Sequence, residues 1–162
     1  MKQRSSSKLN EDQLKLLYRQ VILDHSQHPH HHGTLANGSH EKEMENPTCG
    51  DVITVQVQLS PDGQTIDDIA FSGSGCTISQ ASASMMTDVV LGKSVRDARD
   101  AVYLFSQMIT GKETTKKMDD VLGDASLLAG VRAFPARIKC ATLAWKALDQ
   151  ALPGFPEKET AQ

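Results

Sequence analysis

A chain of 162 residues with a net charge of −3 and a pI near 6.0 carries no electrostatic footprint for nucleic acid, and none is expected as a partner. With 39% hydrophobic and 23% charged residues it fits a soluble globular protein large enough for a real core. The basic start, Met1-Lys2-Gln3-Arg4-Ser5-Ser6-Ser7, leads into no apolar run and no stretch approaches membrane-spanning length, so neither a secretory signal nor a membrane partner is expected. An odd number of cysteines, three, argues against a disulfide framework, and the cytoplasm is the default location.

In chain order, residues 1–9 read as a disordered N-terminus, 10–153 as a single domain and 154–162 as a C-terminal tail. The first helix is expected from Glu11 to about Asp24, with Asn10 as N-cap and Gln13 at the reach-back position of a capping box. Leu14, Leu17, Val21 and Ile22 recur at helical spacing and form its core face. Pro29 and Gly33 mark the histidine-rich stretch that follows as loop. Five of the six histidines fall between His25 and His32, but no i, i+4 pair sits on the predicted helix and Pro29 breaks the run. Zinc or nickel binding there is expected to be adventitious, not a built site.

From Val52 to Leu59 the chain alternates, with Ile53, Val55, Val57 and Leu59 on one face and Thr54, Gln56 and Gln58 on the other, a half-buried strand. Ser60-Pro61-Asp62-Gly63 is a turn signal and Thr65 to Ser72 the returning strand. The hairpin starts just after Cys49 and ends just before Cys76, so both thiols can return to one end of a sheet. Ile78 to Leu91 predicts a helix with a small-residue face. Ser94 and Asp97 cap another through about Thr110. Residues 111–130 read as an inserted segment with one or two short helices. Pro135 opens a final helix, from about Ala136 to Gln150, with Cys140 in its first turns.

The chemistry lies in Cys49, Asp51, Cys76 and Cys140. Glycines flank the first two thiols, and Asp51 sits two residues from Cys49. Three thiolates and a carboxylate suit one tetrahedral zinc or the edge of an iron–sulfur cluster. Placement of Cys76 and Cys140 near helix starts is expected to lower their pKa values, which serves metal binding and nucleophilic attack alike. Asp holds zinc less tightly than Cys, so such a site is more exchangeable than a four-cysteine one. Lone cysteines are commonly small buried hydrophobes. The glycines, the helix starts and Asp51 favour the chemical reading for Cys49 and Cys76, and leave Cys140 open on its own surroundings.

Three ordered motifs decide between these readings: Asn46-Pro47-Thr48-Cys49-Gly50-Asp51, Phe71-Ser72-Gly73-Ser74-Gly75-Cys76-Thr77-Ile78-Ser79, and Arg137-Ile138-Lys139-Cys140-Ala141-Thr142-Leu143-Ala144-Trp145. On these the chain resembles the IscU/NifU-like iron–sulfur cluster assembly family, and within it the SufU branch. The resemblance implies an α+β fold, a small antiparallel β-sheet packed against several α-helices. It implies Cys49, Asp51, Cys76 and Cys140 as metal ligands, with zinc as the metal. It further implies a zinc-dependent sulfurtransferase in which Cys49 accepts persulfide sulfur from a SufS-type cysteine desulfurase, leaving the zinc as the desulfurase supplies a replacement ligand. The sulfur then passes toward the SufBCD machinery. The alternative it leaves is a scaffold on which a labile [2Fe–2S] cluster assembles. Scaffold-type members carry histidine before the third cysteine, where this chain has Lys139, and are shorter than the 64 positions from Cys76 to Cys140. They also carry a Leu-Pro-Pro-Val-Lys chaperone motif where this chain reads Ala133-Phe134-Pro135-Ala136-Arg137. The first two departures favour the sulfurtransferase, and the third argues against dependence on a dedicated Hsp70 pair. No interface stripe stands out, and a monomer or weak dimer is expected.

Overall fold

Helix α1 (Glu11–Gln27) opens the computed structural model, which describes residues 10–36, 40–111 and 116–154. The expected capping box is present: Asn10 Oδ1 accepts from the Gln13 N–H at 2.8 Å and Gln13 Oε1 from the Asn10 N–H at 2.9 Å. The helix runs three residues past its expected end, which brings His25 into its last turn. Its predicted core face holds only in part, with Val21 and Ile22 packed against the core. Leu17 is 44% exposed, Leu14, Val21 and Ile22 are half-buried, and only His25 is buried. The helix lies on the outside of α2 and leaves Tyr18, Ile22 and Leu23 along an open groove. The expectations for 1–9 and 155–162 fall outside the described residues.

The sheet has three antiparallel strands in the order β1 (His40–Asn46), β2 (Asp51–Leu59), β3 (Ile66–Ser74). Strand β1 was not expected. Its His-Glu-Lys-Glu-Met-Glu-Asn run has no apolar alternation because it is a solvated edge, where charge discourages pairing with other chains. Strand β2 keeps its predicted alternation, with Ile53, Val55 and Val57 fully buried, while Thr54 and Gln56 bond Glu43 and Glu41 on the outer face. Pairing of Asn46 with Asp51 and of Val52 with Ser74 brings the β1–β2 turn and the end of β3 to one end of the sheet.

Helices α2 (Thr77–Val90) and α5 (Pro135–Ala151) pack on the sheet, and α3 (Val95–Ile109), α4 (Lys116–Leu122) and a 3₁₀ segment over Gly123–Ala133 pack on those helices and on one another. No helix is long and apolar enough to cross a membrane among the described residues. Helix α3 starts at the predicted cap, Ser94 Oγ accepting from the Asp97 N–H at 3.0 Å. Within the segment read as inserted, Met118, Leu122, Ala125 and Leu128 reach the core, and residues 112–115 lie outside the described set. Helix α2 is the central element. Its Ala81-Ser82-Ala83-Ser84 run is fully buried and lets α1 and α5 approach closely.

One hydroxyl locks α2 to α5. Ser82 Oγ donates to the Ala141 carbonyl at 2.5 Å and accepts from Trp145 Nε1 at 2.9 Å, and Trp145 stacks on Phe105 with ring centroids 4.2 Å apart. Ser82→Ala leaves a buried indole N–H and a buried carbonyl without that partner. The expected cost is about 1–3 kcal/mol, seen as a melting temperature several degrees lower when unfolding is followed by the fluorescence of the single tryptophan. An unchanged midpoint refutes this role for Ser82.

Candidate metal centre

The turn between β1 and β2 carries Cys49. The Asn46 carbonyl accepts from the Cys49 and Gly50 N–H groups at 3.1 and 2.7 Å, and Asn46 Oδ1 accepts from the Thr48 N–H at 3.3 Å. Gly50, at φ +76°, turns the chain back into β2. Cys49 is thereby held exposed at the tip. Asp51, the first residue of β2, has no exposed surface. From the other side, β3 ends at Ser74, Gly75 follows, and Cys76 is the N-cap of α2. A Cβ on Gly75 would stand 2.2 Å from Ser79 Oγ and 2.7 Å from Asp51 Oδ1, so only glycine lets this backbone pass so near the carboxylate. The Cys76 N–H donates to Asp51 Oδ1 at 2.9 Å.

Helix α5 supplies Cys140, fully buried, with its Sγ 3.2 Å from Cys49 Sγ and 3.9 Å from Asn46 Nδ2. Ligand atoms of Cys49, Asp51 and Cys140 all lie within 4.8 Å of one another. Of the four residues singled out by sequence, three thus converge. The thiol of Cys76 is outside that cluster and half-buried at its rim, although its main chain is bonded to Asp51 and its side chain acts on Cys140. Asn46 is the positioning residue that motif reading did not single out. The Asn-Pro pair that signals a turn was its visible trace.

Burial pushes the Cys140 thiol well above the usual range, and Cys49, Asp51 and Cys76 raise it further. This corrects the lowered pKa expected for a cysteine near a helix start. Cys140 is the sixth residue of α5, past the first turn in which free N–H groups and the helix dipole act. Cys76, at the N-cap itself, does hold the expected place.

A thiophilic cation suits this donor set. Asp51 Oδ2 is buried with no hydrogen-bond partner, an arrangement that costs free energy unless a charge or donor faces it. Two converging thiols beside it are soft donors of the type zinc and iron sites use. A bound cation there supplies the positive charge that Asp51 lacks and favours the thiolate over the thiol at Cys140.

The NifU-like N-terminal domain profile matches residues 17–141. An iron–sulfur cluster assembly scaffold protein IscU of Streptococcus pyogenes serotype M1 is 52% identical over 146 residues, covering 90% of this chain and 86% of that protein. The zinc-dependent sulfurtransferase SufU of Bacillus subtilis strain 168 is 50% identical over 139 residues, covering 86% and 91%. A crystal structure from Fervidobacterium islandicum AW-1, described as a candidate iron–sulfur cluster assembly scaffold protein for the SUF system, superposes with a TM-score of 0.77. It is 34% identical over 85% of this chain and 97% of that one. Relatives of nearly equal identity therefore carry different functional names.

Two outcomes test the geometry. In metal-free protein, Cys49 alkylates first and Cys140 last, as read by mass spectrometry of timed iodoacetamide quenches; Cys140 reacting first refutes the burial order. Gly75→Ala displaces the Asp51 carboxylate and weakens zinc binding at least tenfold against a chromogenic chelator. Unchanged affinity removes Asp51 from the site.

Proposed function

Because the chain belongs to the NifU-like N-terminal domain family, which serves iron–sulfur cluster assembly, we propose that it is a zinc-dependent sulfurtransferase. It takes persulfide sulfur from a SufS-type cysteine desulfurase and delivers it toward a SufBCD-type scaffold. The observation that carries this reading is the asymmetry of the thiols, with Cys49 exposed on a turn beside a buried Asp51 and a buried Cys140. Cys49, Asp51 and Cys140 would hold the zinc, and Cys76, whose thiol stands outside that cluster, would turn in from the N-cap of α2 as the fourth ligand. Bound zinc keeps these thiols deprotonated and supplies the cation that the orphan oxygen of Asp51 lacks.

In the transfer, the Cys49 thiolate attacks the terminal sulfur of the donor's persulfide. A new S–S bond forms on Cys49, the donor's S–S bond breaks, and the donor departs as a thiolate. One sulfane sulfur changes place with no net oxidation, so no further reductant is needed at this step. Asn46 presents the turn, and Asp51, bonded to Cys76, stays fixed while the exposed residue exchanges partners.

A scaffold that builds a labile cluster on the same cysteines is the second reading, favoured by the name and 52% identity of the Streptococcus relative. Titrating the zinc-loaded chain into the desulfurase separates the two. Saturable stimulation of cysteine turnover, lost in Cys49→Ala that still folds, supports transfer. Absence of stimulation, together with an anaerobically reconstituted cluster that passes intact to an apo-protein, supports the scaffold.

The carboxylate gives a sharper test. Asp51→Cys is expected to tighten zinc binding and slow sulfur transfer, because thiolate is the stronger zinc ligand. Unchanged turnover in a variant that binds zinc more tightly refutes ligand exchange at this site.

A further inference from the structure

We propose that His25, His30 and Asp88 form a second divalent-metal site, of the two-imidazole, one-carboxylate class and fitted to zinc. Their ligand atoms lie within 4.8 Å of one another and come from three different parts of the chain: the last turn of α1, the loop after it, and α2. Asp88 stands twelve residues along from Cys76, about 18 Å at 1.5 Å per helical residue, so the site is separate from the thiol centre. Borderline donors of this composition select zinc, nickel or copper, not magnesium or calcium.

The cluster is built, not a chance crowding of loop histidines. His25 is 3% exposed, and its ring nitrogens meet Ser84 Oγ at 2.7 Å and Asp124 Oδ2 at 3.1 Å. The same Ser84 Oγ accepts the His30 N–H at 2.8 Å, so one hydroxyl positions both histidines. Beyond His30, His31 adopts φ +58°, a conformation unusual for a non-glycine residue. It is secured by Phe71, whose N–H bonds the His31 carbonyl at 3.1 Å while its carbonyl accepts from Gly33 at 2.8 Å. The strained turn returns His30 to α2, where its Nδ1 lies 2.5 Å from Asp88 Oδ2. The His25 and His30 rings are 4.6 Å apart.

A metal entering here replaces the direct contact between His30 Nδ1 and Asp88 Oδ2 and takes one nitrogen of His25 from its partner. The other nitrogen stays held, the arrangement that orients metal-binding imidazoles. His30 and Asp88 are partly exposed and give the entry path, while buried His25 closes the floor. The sequence reading expected only adventitious binding because no i, i+4 pair lies on one helix. The structure instead brings the pair together across the loop.

Cobalt(II) titration of the metal-free full chain tests this, since thiolate-bound cobalt shows sulfur-to-metal charge transfer and an imidazole–carboxylate site does not. The expected result is one equivalent bound without charge transfer. It disappears in the His30→Ala/Asp88→Asn variant and persists in His28→Ala/His32→Ala, with thiolate-bound cobalt unchanged in both. Absence of that equivalent in the unaltered chain overturns the proposal. So does its loss in the His28/His32 variant, or its survival in the His30/Asp88 variant. Tryptophan fluorescence confirms that each variant is folded.

Discussion

A carboxylate with no exposed surface is the constraint around which this molecule is arranged. Asp51 has one oxygen on the Cys76 N–H and the other on nothing. Removing a carboxylate from water costs several kcal/mol even after relaxation, and a single neutral donor offsets only part of that. Ordinary core design would avoid the arrangement. Here the strand register, the glycine at position 75 and the turn anchored on Asn46 all hold it in place, against two thiols that are themselves better placed with a cation among them. Folding leaves the buried carboxylate at the end of the sheet without a facing charge, which a bound cation would supply.

The site is asymmetric because its ligands arrive on elements of different rigidity. Cys140 lies on a helix locked by Ser82 and Trp145, and Asp51 on the central strand. Cys49 rides on a short turn, exposed, with main-chain bonds only to Asn46. The anchored residues would retain a bound metal while the one on the turn can move with small cost to the fold. A scaffold and a sulfur carrier both need a labile position.

What was legible in the sequence was whatever depends on neighbours in the chain. The capping box at Asn10 and Gln13, the Ser94 cap, the alternation of β2 and the proline start of α5 are local chemistry, and they stand as read. The hairpin placed Cys49 and Cys76 at one end of the sheet, whereas Cys140 was joined to them only by the resemblance, and it is Cys140 whose thiol meets Cys49 and Asp51. Strand β1 was invisible because a charged edge strand takes its pairing from its neighbour, not from its own pattern. The face of α1 was read as more buried than it is, Leu17 staying exposed while Val21 and Ile22 pack on the core, because periodicity gives the direction of a face but not what covers it. The Cys140 thiol was misjudged because burial by distant elements outweighs position along a helix. His25 meets Ser84 across 59 residues, beyond any local pattern.

Helix α2 joins these threads. Its N-cap holds Cys76 against Asp51, its sixth residue holds the helix that carries Cys140, and its eighth holds both His25 and His30. Each of the last two attachments is a serine hydroxyl buried among alanines. Small side chains let neighbouring backbones come close, and a hydroxyl then replaces the packing area they forgo with directed bonds. Bulkier apolar residues at these positions would fill space equally well, yet they would force α1 and α5 away and separate the ligands they carry. The serine and alanine content of α2 is therefore a condition of the cysteine–carboxylate geometry at its N-terminus, and of the histidine cluster farther along.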